Sequence, residues 1–130
     1  MNIGIVDDSP GILDLIAITL QLAGYSAFSH QTGRSLLDAL FSSPSAGGRI
    51  PYDLVIVDLL LPEPLSGVEV ILRIRASVSA EQLPIVLLTA GGKGTIETVT
   101  SMLPRDVVWL QKPFYPRTLV DTVRRLLKQR

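Results

Sequence analysis

The stretch Leu54-Val55-Ile56-Val57-Asp58 decides the fold. Four branched apolar residues in a row leave no polar face, so this strand is expected to be covered on both sides. Strands of that kind belong to parallel sheets, whose crossover helices lie on both faces. A carboxylate, Asp58, ends the run. Working outward, Ile3-Gly4-Ile5-Val6 is a second such run and stops at Asp7-Asp8. Pro84 introduces a third, Ile85-Val86-Leu87-Leu88, which ends at Thr89. Two weaker strands are expected at Tyr25 to Ser29 and at Val107 to Leu110, the last closing on Lys112-Pro113.

Helical patterns fill the spaces between these runs. The first is expected from Pro10 to about Ala23, with Ser9 as its cap and Gly24 as its stop. Its buried face is read as Ile12, Leu15, Ile16, Thr19 and Leu22. Ser35 to Phe41 carries Leu36, Leu37 and Leu40, and a third helix runs from Gly67 to about Ser77. A weak, Thr-rich helix is expected from Thr95 to Leu103, stopped by Pro104. The last, from Pro116 to Gln129, buries Leu119, Val120, Val123, Leu126 and Leu127 and turns Arg117, Asp121, Arg124, Arg125 and Lys128 to water. Residues 42–51 are rich in Ser, Pro and Gly and read as a long surface loop. They are not read as a linker, because the strand that follows needs a core. Five strands and five helices in strict alternation predict a doubly wound α/β sheet in one domain spanning residues 1–130.

Composition narrows the function. Twelve Lys and Arg balance twelve Asp and Glu, which excludes a general polyanion binder and a membrane-surface binder. The absence of cysteine excludes a disulfide scaffold, a thiolate zinc site and a Cys nucleophile. The longest uncharged run, between Asp14 and Arg34, becomes polar beyond Gly24 and is too short to span a membrane. No basic-then-apolar leader opens the chain, and a cytoplasmic protein is expected. The neutral total hides a gradient: residues 1–69 hold eight acids and two bases, whereas residues 70–130 hold four acids and ten bases.

The chemistry is expected at the carboxyl ends of the strands, where open α/β sheets bind ligands. Asp7, Asp8, Asp58, Thr89 and Lys112 all stand at such ends. Three converging carboxylates repel one another and raise at least one pKa, and a hard divalent cation relieves them. Oxygen-only ligands favour Mg²⁺. Lys112 adds a point charge and Thr89 a small donor. A cation, an ammonium and a hydroxyl around one carboxylate suit a transferring phosphoryl group, with Asp58 as the nucleophile.

In these pieces the sequence resembles the receiver domain of two-component response regulators, over nearly its whole length. The matching pieces are Val6-Asp7-Asp8-Ser9-Pro10, Asp58-Leu59-Leu60-Leu61-Pro62, Gly67-Val68-Glu69-Val70, Pro84-Ile85-Val86-Leu87-Leu88-Thr89-Ala90 and Lys112-Pro113-Phe114. The resemblance implies a flavodoxin-like (βα)5 fold of strand order 2-1-3-4-5. It implies that Asp58 accepts a phosphoryl group from a sensor histidine kinase or phosphotransfer protein. Asp8, Asp58 and the Leu60 carbonyl would ligate Mg²⁺, with Asp7 acting through water. Lys112, Thr89 and the Ala90 backbone would bind the phosphate, and Thr89 and Trp109 would form the switch. The peptide before Pro113 is expected to be cis. The face of helix four, strand five and helix five would then change its affinity for a downstream effector, a separate protein or a domain beyond Arg130. The resemblance implies a regulatory phosphoacceptor domain rather than an enzyme, with Mg-dependent autophosphorylation and autodephosphorylation chemistry. It is expected to bind neither nucleic acid directly nor membrane.

The chain departs from the family pattern in places. Pro62 to Gly67 is one residue longer than usual. Trp109 replaces a Tyr or Phe, and Leu103-Pro104-Arg105-Asp106 stands where a small Gly-Ala turn is usual. Leu60 and Gly91 fall at positions that often carry polar side chains acting on the hydrolytic water. A pseudo-receiver that docks a partner without phosphate is the competing reading, and the complete site argues against it. Leu60, where a haloacid dehalogenase needs a second Asp, excludes that family. Asp7-Asp8 would repel the phosphate of a flavodoxin's cofactor. The run Gly91-Gly92-Lys93-Gly94-Thr95 fails the phosphate-loop pattern because Gly follows Lys93. His30 is expected as an exposed strand-end residue, neither ligand nor base.

Overall fold

The computed structural model describes residues 1–41, 50–62, 64–90, 97–99 and 101–128. Its elements alternate as β1 (Asn2–Val6), α1 (Pro10–Leu22), β2 (Ser26–His30), α2 (Gly33–Phe41), β3 (Leu54–Asp58), α3 (Gly67–Arg75) and β4 (Ile85–Thr89). A helical segment at residues 97–99, here α4, precedes β5 (Val108–Gln111) and α5 (Pro116–Lys128). The strands form one parallel sheet in the order β2-β1-β3-β4-β5. This is the flavodoxin-like architecture. The Gly-rich run 91–95, most of the 42–51 loop and parts of the fourth helix fall outside the described residues. Among the described residues, no helix is long and apolar enough to cross a membrane.

Strand alternation divides the core in two. Val6, Val55, Val57 and Leu87 point to one face and pack with Leu36 and Leu40 of α2 and Val70, Ile71 and Ile74 of α3. Ile3, Ile5, Leu54, Ile56, Val86 and Leu88 point to the other, against Leu13, Ile16 and Leu20 of α1 and Leu119, Val123 and Leu127 of α5. All five residues of β3, and all five of β4, are buried, as their unbroken apolar runs require. Each fully buried Leu or Ile contributes roughly 1.5–3 kcal/mol, so the central strands are the stable heart of the fold.

The caps follow the sequence. Pro10 opens α1, and the Ser9 side chain accepts a hydrogen bond from the Ile12 amide. Gly24, at φ 98°, makes the turn out of that helix. Ser66 caps α3 by accepting from the Glu69 amide.

Three expectations need correction. The buried face of α1 is Leu13, Ile16 and Leu20, whereas Leu15 and Leu22 are exposed, Leu22 to 85 %. Ile18 is exposed as well. Apolar residues occur all round this helix, so periodicity does not single out one face. On α5, Thr122 takes a core place and Val120 and Leu126 are half-buried. Thr122 can be buried because its hydroxyl donates to the Thr118 carbonyl. His30 is half-buried, and both its ring nitrogens have hydroxyl partners.

Candidate functional site

β1 is flanked by β2 on one side and β3 on the other. The chain therefore reverses direction across the sheet at β1, and a crevice opens between the carboxyl ends of β1 and β3. Asp7 and Asp8 leave β1 and Asp58 ends β3, so they occupy its two lips.

Strand alternation explains why their charges meet. Asp7 continues the row of Ile3 and Ile5, Asp58 that of Leu54 and Ile56, and Lys112 that of Val108 and Leu110. All three rows point to the α1/α5 face. There Asp7, Asp8 and Asp58 each bring a carboxylate oxygen within 4.8 Å of the others. Lys112 Nζ donates to Asp7 Oδ2 at 2.9 Å and lies 3.4 Å from Asp58 Oδ1. Asp7 is fully buried, Asp58 is 5 % exposed, and Asp8 opens to water. The backbone fixes the acids as well. The Ser9 amide donates to Asp7 Oδ1 at 2.9 Å, and the Leu60 amide donates weakly to Asp58 Oδ1 at 3.4 Å.

The charges are not balanced. Burial, and then the Asp7 carboxylate, raise the pKa of Asp58, while Lys112 and the Leu60 amide oppose the rise without cancelling it. Burial alone would lower the pKa of Lys112, but its hydrogen bond to Asp7 and the charges of Asp58 and Asp7 raise it. Both pKa values are raised, which means opposite things for the two partners of one ion pair: the ammonium is stabilised and the Asp58 carboxylate is not. The geometry accounts for this, because one ammonium serves two buried acids and lies closer to Asp7. Among the described residues, three carboxylates face one ammonium, which leaves two negative charges uncompensated. Oxygen donors, one of them solvent-facing, fit a hard divalent cation.

Thr89 and Trp109 belong to the opposite row. By alternation they follow Leu87 and Val107 towards the α3 face, and Leu87 pairs with Trp109 and Thr89 with Gln111. Thr89 is buried at the end of β4, and its carbonyl accepts from the Lys112 amide at 2.7 Å. Trp109 is half-buried and packs against the α2/α3 core. The Lys112–Pro113 peptide is cis. Leu60 is 70 % exposed on the rim of the crevice.

Gly67 is a site residue whose role residue chemistry alone does not reveal. It opens α3 directly against the strand exit, and its amide donates to the Leu59 carbonyl at 3.2 Å. A Cβ there would overlap the Asp58 carbonyl and sit 2.8 Å from Leu59 Cα. The sequence signal is a glycine at the first position of a helix that follows a strand exit.

The strand order and the acid-lined β1/β3 crevice define a CheY-like α/β protein. The chain belongs to the response regulator receiver domain family, which its residues 3–124 match. It is therefore a regulatory domain of two-component signalling, a class that receives its signal as a phosphoryl group. It is 32% identical to a probable transcriptional regulatory protein of Picosynechococcus sp., over 96% of this chain and 48% of that protein. It is 30% identical to the phosphate regulon transcriptional regulatory protein PhoB of Pseudomonas aeruginosa, over 96% of this chain and 51% of that protein. The chain spans about half the length of the regulators it matches. Among solved structures it resembles the chemotaxis protein CheY4 of Vibrio cholerae, with TM-score 0.77 and 28% identity over 96% of this chain and 97% of that one.

Proposed function

We propose that this chain is a phosphorylation-controlled switch in which Asp58 accepts a phosphoryl group from a sensor histidine kinase or phosphotransfer protein. One observation carries the reading: Asp58 is a buried carboxylate at the switch crevice, undercompensated by Lys112 and beside Asp7 and Asp8. Asp58 Oδ attacks phosphorus, the P–N bond of the donor phosphohistidine breaks, and the imidazole leaves with that electron pair and takes up a proton. Asp8, Asp58 and the Leu60 carbonyl would hold Mg²⁺, with Asp7 acting through water, and the ion would supply charge neutralisation there. Lys112 stabilises the negative charge that spreads over the transferring group. Thr89 and the Ala90 amide bond the phosphorylated carboxylate.

Phosphorylation adds about −1.5 to −2 charges. To act as a switch it must favour one of two existing arrangements of Thr89 and Trp109. The α4/β5/α5 face then changes its affinity for an effector, in a separate protein or in a domain beyond Arg130. Residues 1–130 act as one cytoplasmic receiver domain with autophosphorylation and autodephosphorylation chemistry, without direct contact to nucleic acid. The test is incubation of the full chain with Mg²⁺ and a small acyl phosphate. Acid-labile phosphate is expected on the wild type and not on Asp58→Ala. No label on the wild type, or equal label on both, would leave a docking module that works without phosphate.

A further inference from the structure

The chain has one histidine, and the structure builds a small polar clamp around it outside the acidic crevice. His30 closes β2. Its Nδ1 lies 2.6 Å from Ser35 Oγ in the first turn of α2, and its Nε2 lies 2.7 Å from Tyr52 Oη just before β3. In a neutral imidazole one ring nitrogen donates and the other accepts, so both hydroxyls complete a full hydrogen bond. Burial lowers the pKa of His30 and so favours that neutral form.

Tyr52 reaches His30 by lying across the sheet. A Cβ on Gly4 of β1 would stand 2.5 Å from Tyr52 Cδ2. Gly4 is thus the floor of a slot that the tyrosine ring fills. The ring also leans on Phe28, at 5.5 Å between centroids, and meets the His30 ring edge-on at 5.9 Å. One tertiary unit therefore joins β1, β2, the first turn of α2 and the approach to β3.

This unit touches the site through the main chain. Val6 pairs with His30 at the end of the β1–β2 ladder. One step further, the Asp7 amide donates to the His30 carbonyl at 3.1 Å. Asp7 is the buried acid that also bonds the Ser9 amide and Lys112. β2 is an edge strand, bonded in the sheet to β1 alone, and the end of an edge strand frays easily. The clamp on the His30 side chain opposes that fraying where Asp7 depends on it.

We propose that His30, Ser35 and Tyr52 are positioning residues that fix the main chain of Asp7 and so set the divalent-cation affinity of the acidic crevice. The inference rests on the metal reading given above. None of the three touches the acidic oxygens, so their effect passes through the His30 carbonyl and the Asp7 amide.

The test uses the full chain and two variants. Tyr52→Phe keeps the ring over Gly4 and removes one hydroxyl, and Ser35→Ala removes the other. Partners behind metal ligands commonly change affinity 10–100-fold, and this link is one step longer, so a rise in the Mg²⁺ Kd of about 3–10-fold is expected by calorimetry. In chelator, amide exchange at Asp7 should accelerate by more than that at Ile56 in the centre of β3. An unchanged Kd in both variants overturns the proposal. So does an Asp7 amide that accelerates only as much as Ile56, since that is a global loss of stability. If the wild type binds no Mg²⁺, the metal reading fails and takes the affinity effect with it. The Asp7 amide still decides the clamp itself, and unaltered exchange there overturns it.

Discussion

Replacing Asp58 with Asn should make the protein more stable in chelator and less stable in Mg²⁺. Lys112 Nζ, 3.4 Å from Asp58 Oδ1, attracts it by about 5 kcal/mol at an effective dielectric near 20. Asp7, with an oxygen within 4.8 Å, repels it by at least about 3.5 kcal/mol on the same scale, and Asp8, within the same distance but open to water, adds a screened repulsion. At most about 1.5 kcal/mol of the attraction is left to favour the charged form. Removing a carboxylate from water costs several kcal/mol, and Asp58 is 5 % exposed. Desolvation therefore wins, which agrees with burial as the leading cause of the raised Asp58 pKa. Asparagine carries no charge and keeps an acceptor for the Leu60 amide. The expected gain is about 1–3 kcal/mol near neutral pH, roughly 3–5 °C in Tm per kcal/mol. The pH dependence has a definite sign. Because the folded pKa of Asp58 lies above its unfolded value, its contribution is fully present below the unfolded value, near 3.8. It is lost as pH rises through the folded pKa. The advantage of Asp58→Asn should therefore widen as pH rises from about 4 through the raised folded pKa of Asp58 and level off above it. Mg²⁺ at a hundred times its Kd adds about 2.7 kcal/mol to the wild type, and less to a variant missing one anionic ligand. The two stabilities should cross on adding metal. Urea unfolding followed by circular dichroism, in chelator and in Mg²⁺, reads all of this. An Asp58→Asn protein less stable than wild type in chelator near neutral pH would refute the reasoning, as would a gap that ignores pH.

Lys112→Met keeps most of the side-chain volume but leaves Asp7 and Asp58 without their ammonium. It should cost about 3–5 kcal/mol in chelator, and Mg²⁺ should restore more stability to it than to the wild type; an equal response to metal would contradict the shared charge deficit. Gly67→Ala places a methyl against backbone that cannot yield, so it should cost about 1–3 kcal/mol and shift the Leu59 amide resonance, and a wild-type unfolding midpoint would show that α3 can slide. Once Asp58 is labelled, Leu60→Asn and Gly91→Glu restore polar groups at the positions read as acting on hydrolytic water and should shorten the phosphate lifetime; unchanged decay in both sinks that reading.

Much of the fold was legible because its strands are unambiguous. Runs such as 54–57 and 85–88 can only be buried, and their charged ends mark where they surface. The site was legible for the same reason: Asp7, Asp58 and Lys112 each continue an inward row, so alternation places them on one face. The register of α1 was not legible. Leu13, Ile16 and Leu20 compete with Leu15, Ile18 and Leu22, and only the tertiary contact with β1 and α5 selects between them. The His30 clamp was not legible either, since Tyr52 is distant in sequence and no spacing announces it. The available signal was Gly4. A glycine within a strand run marks a close approach of another group, and here that group is the Tyr52 ring.

The neutral composition takes on a physical meaning at the crevice. Among the described residues, the acidic half of the chain provides the three carboxylates of the crevice and the basic half its ammonium, Lys112. A second lysine would neutralise the crevice further, but it would also remove the reason for a cation to bind. The deficit of two charges destabilises the metal-free fold and is at the same time what a divalent cation would neutralise. Local stability is thus set against function at the same three residues. A cluster that Lys112 balanced completely would be a structural ion-pair network. Lys112 Nζ lies closer to Asp7 than to Asp58, and Asp58 keeps a raised pKa beside that ammonium, which separates the two cases.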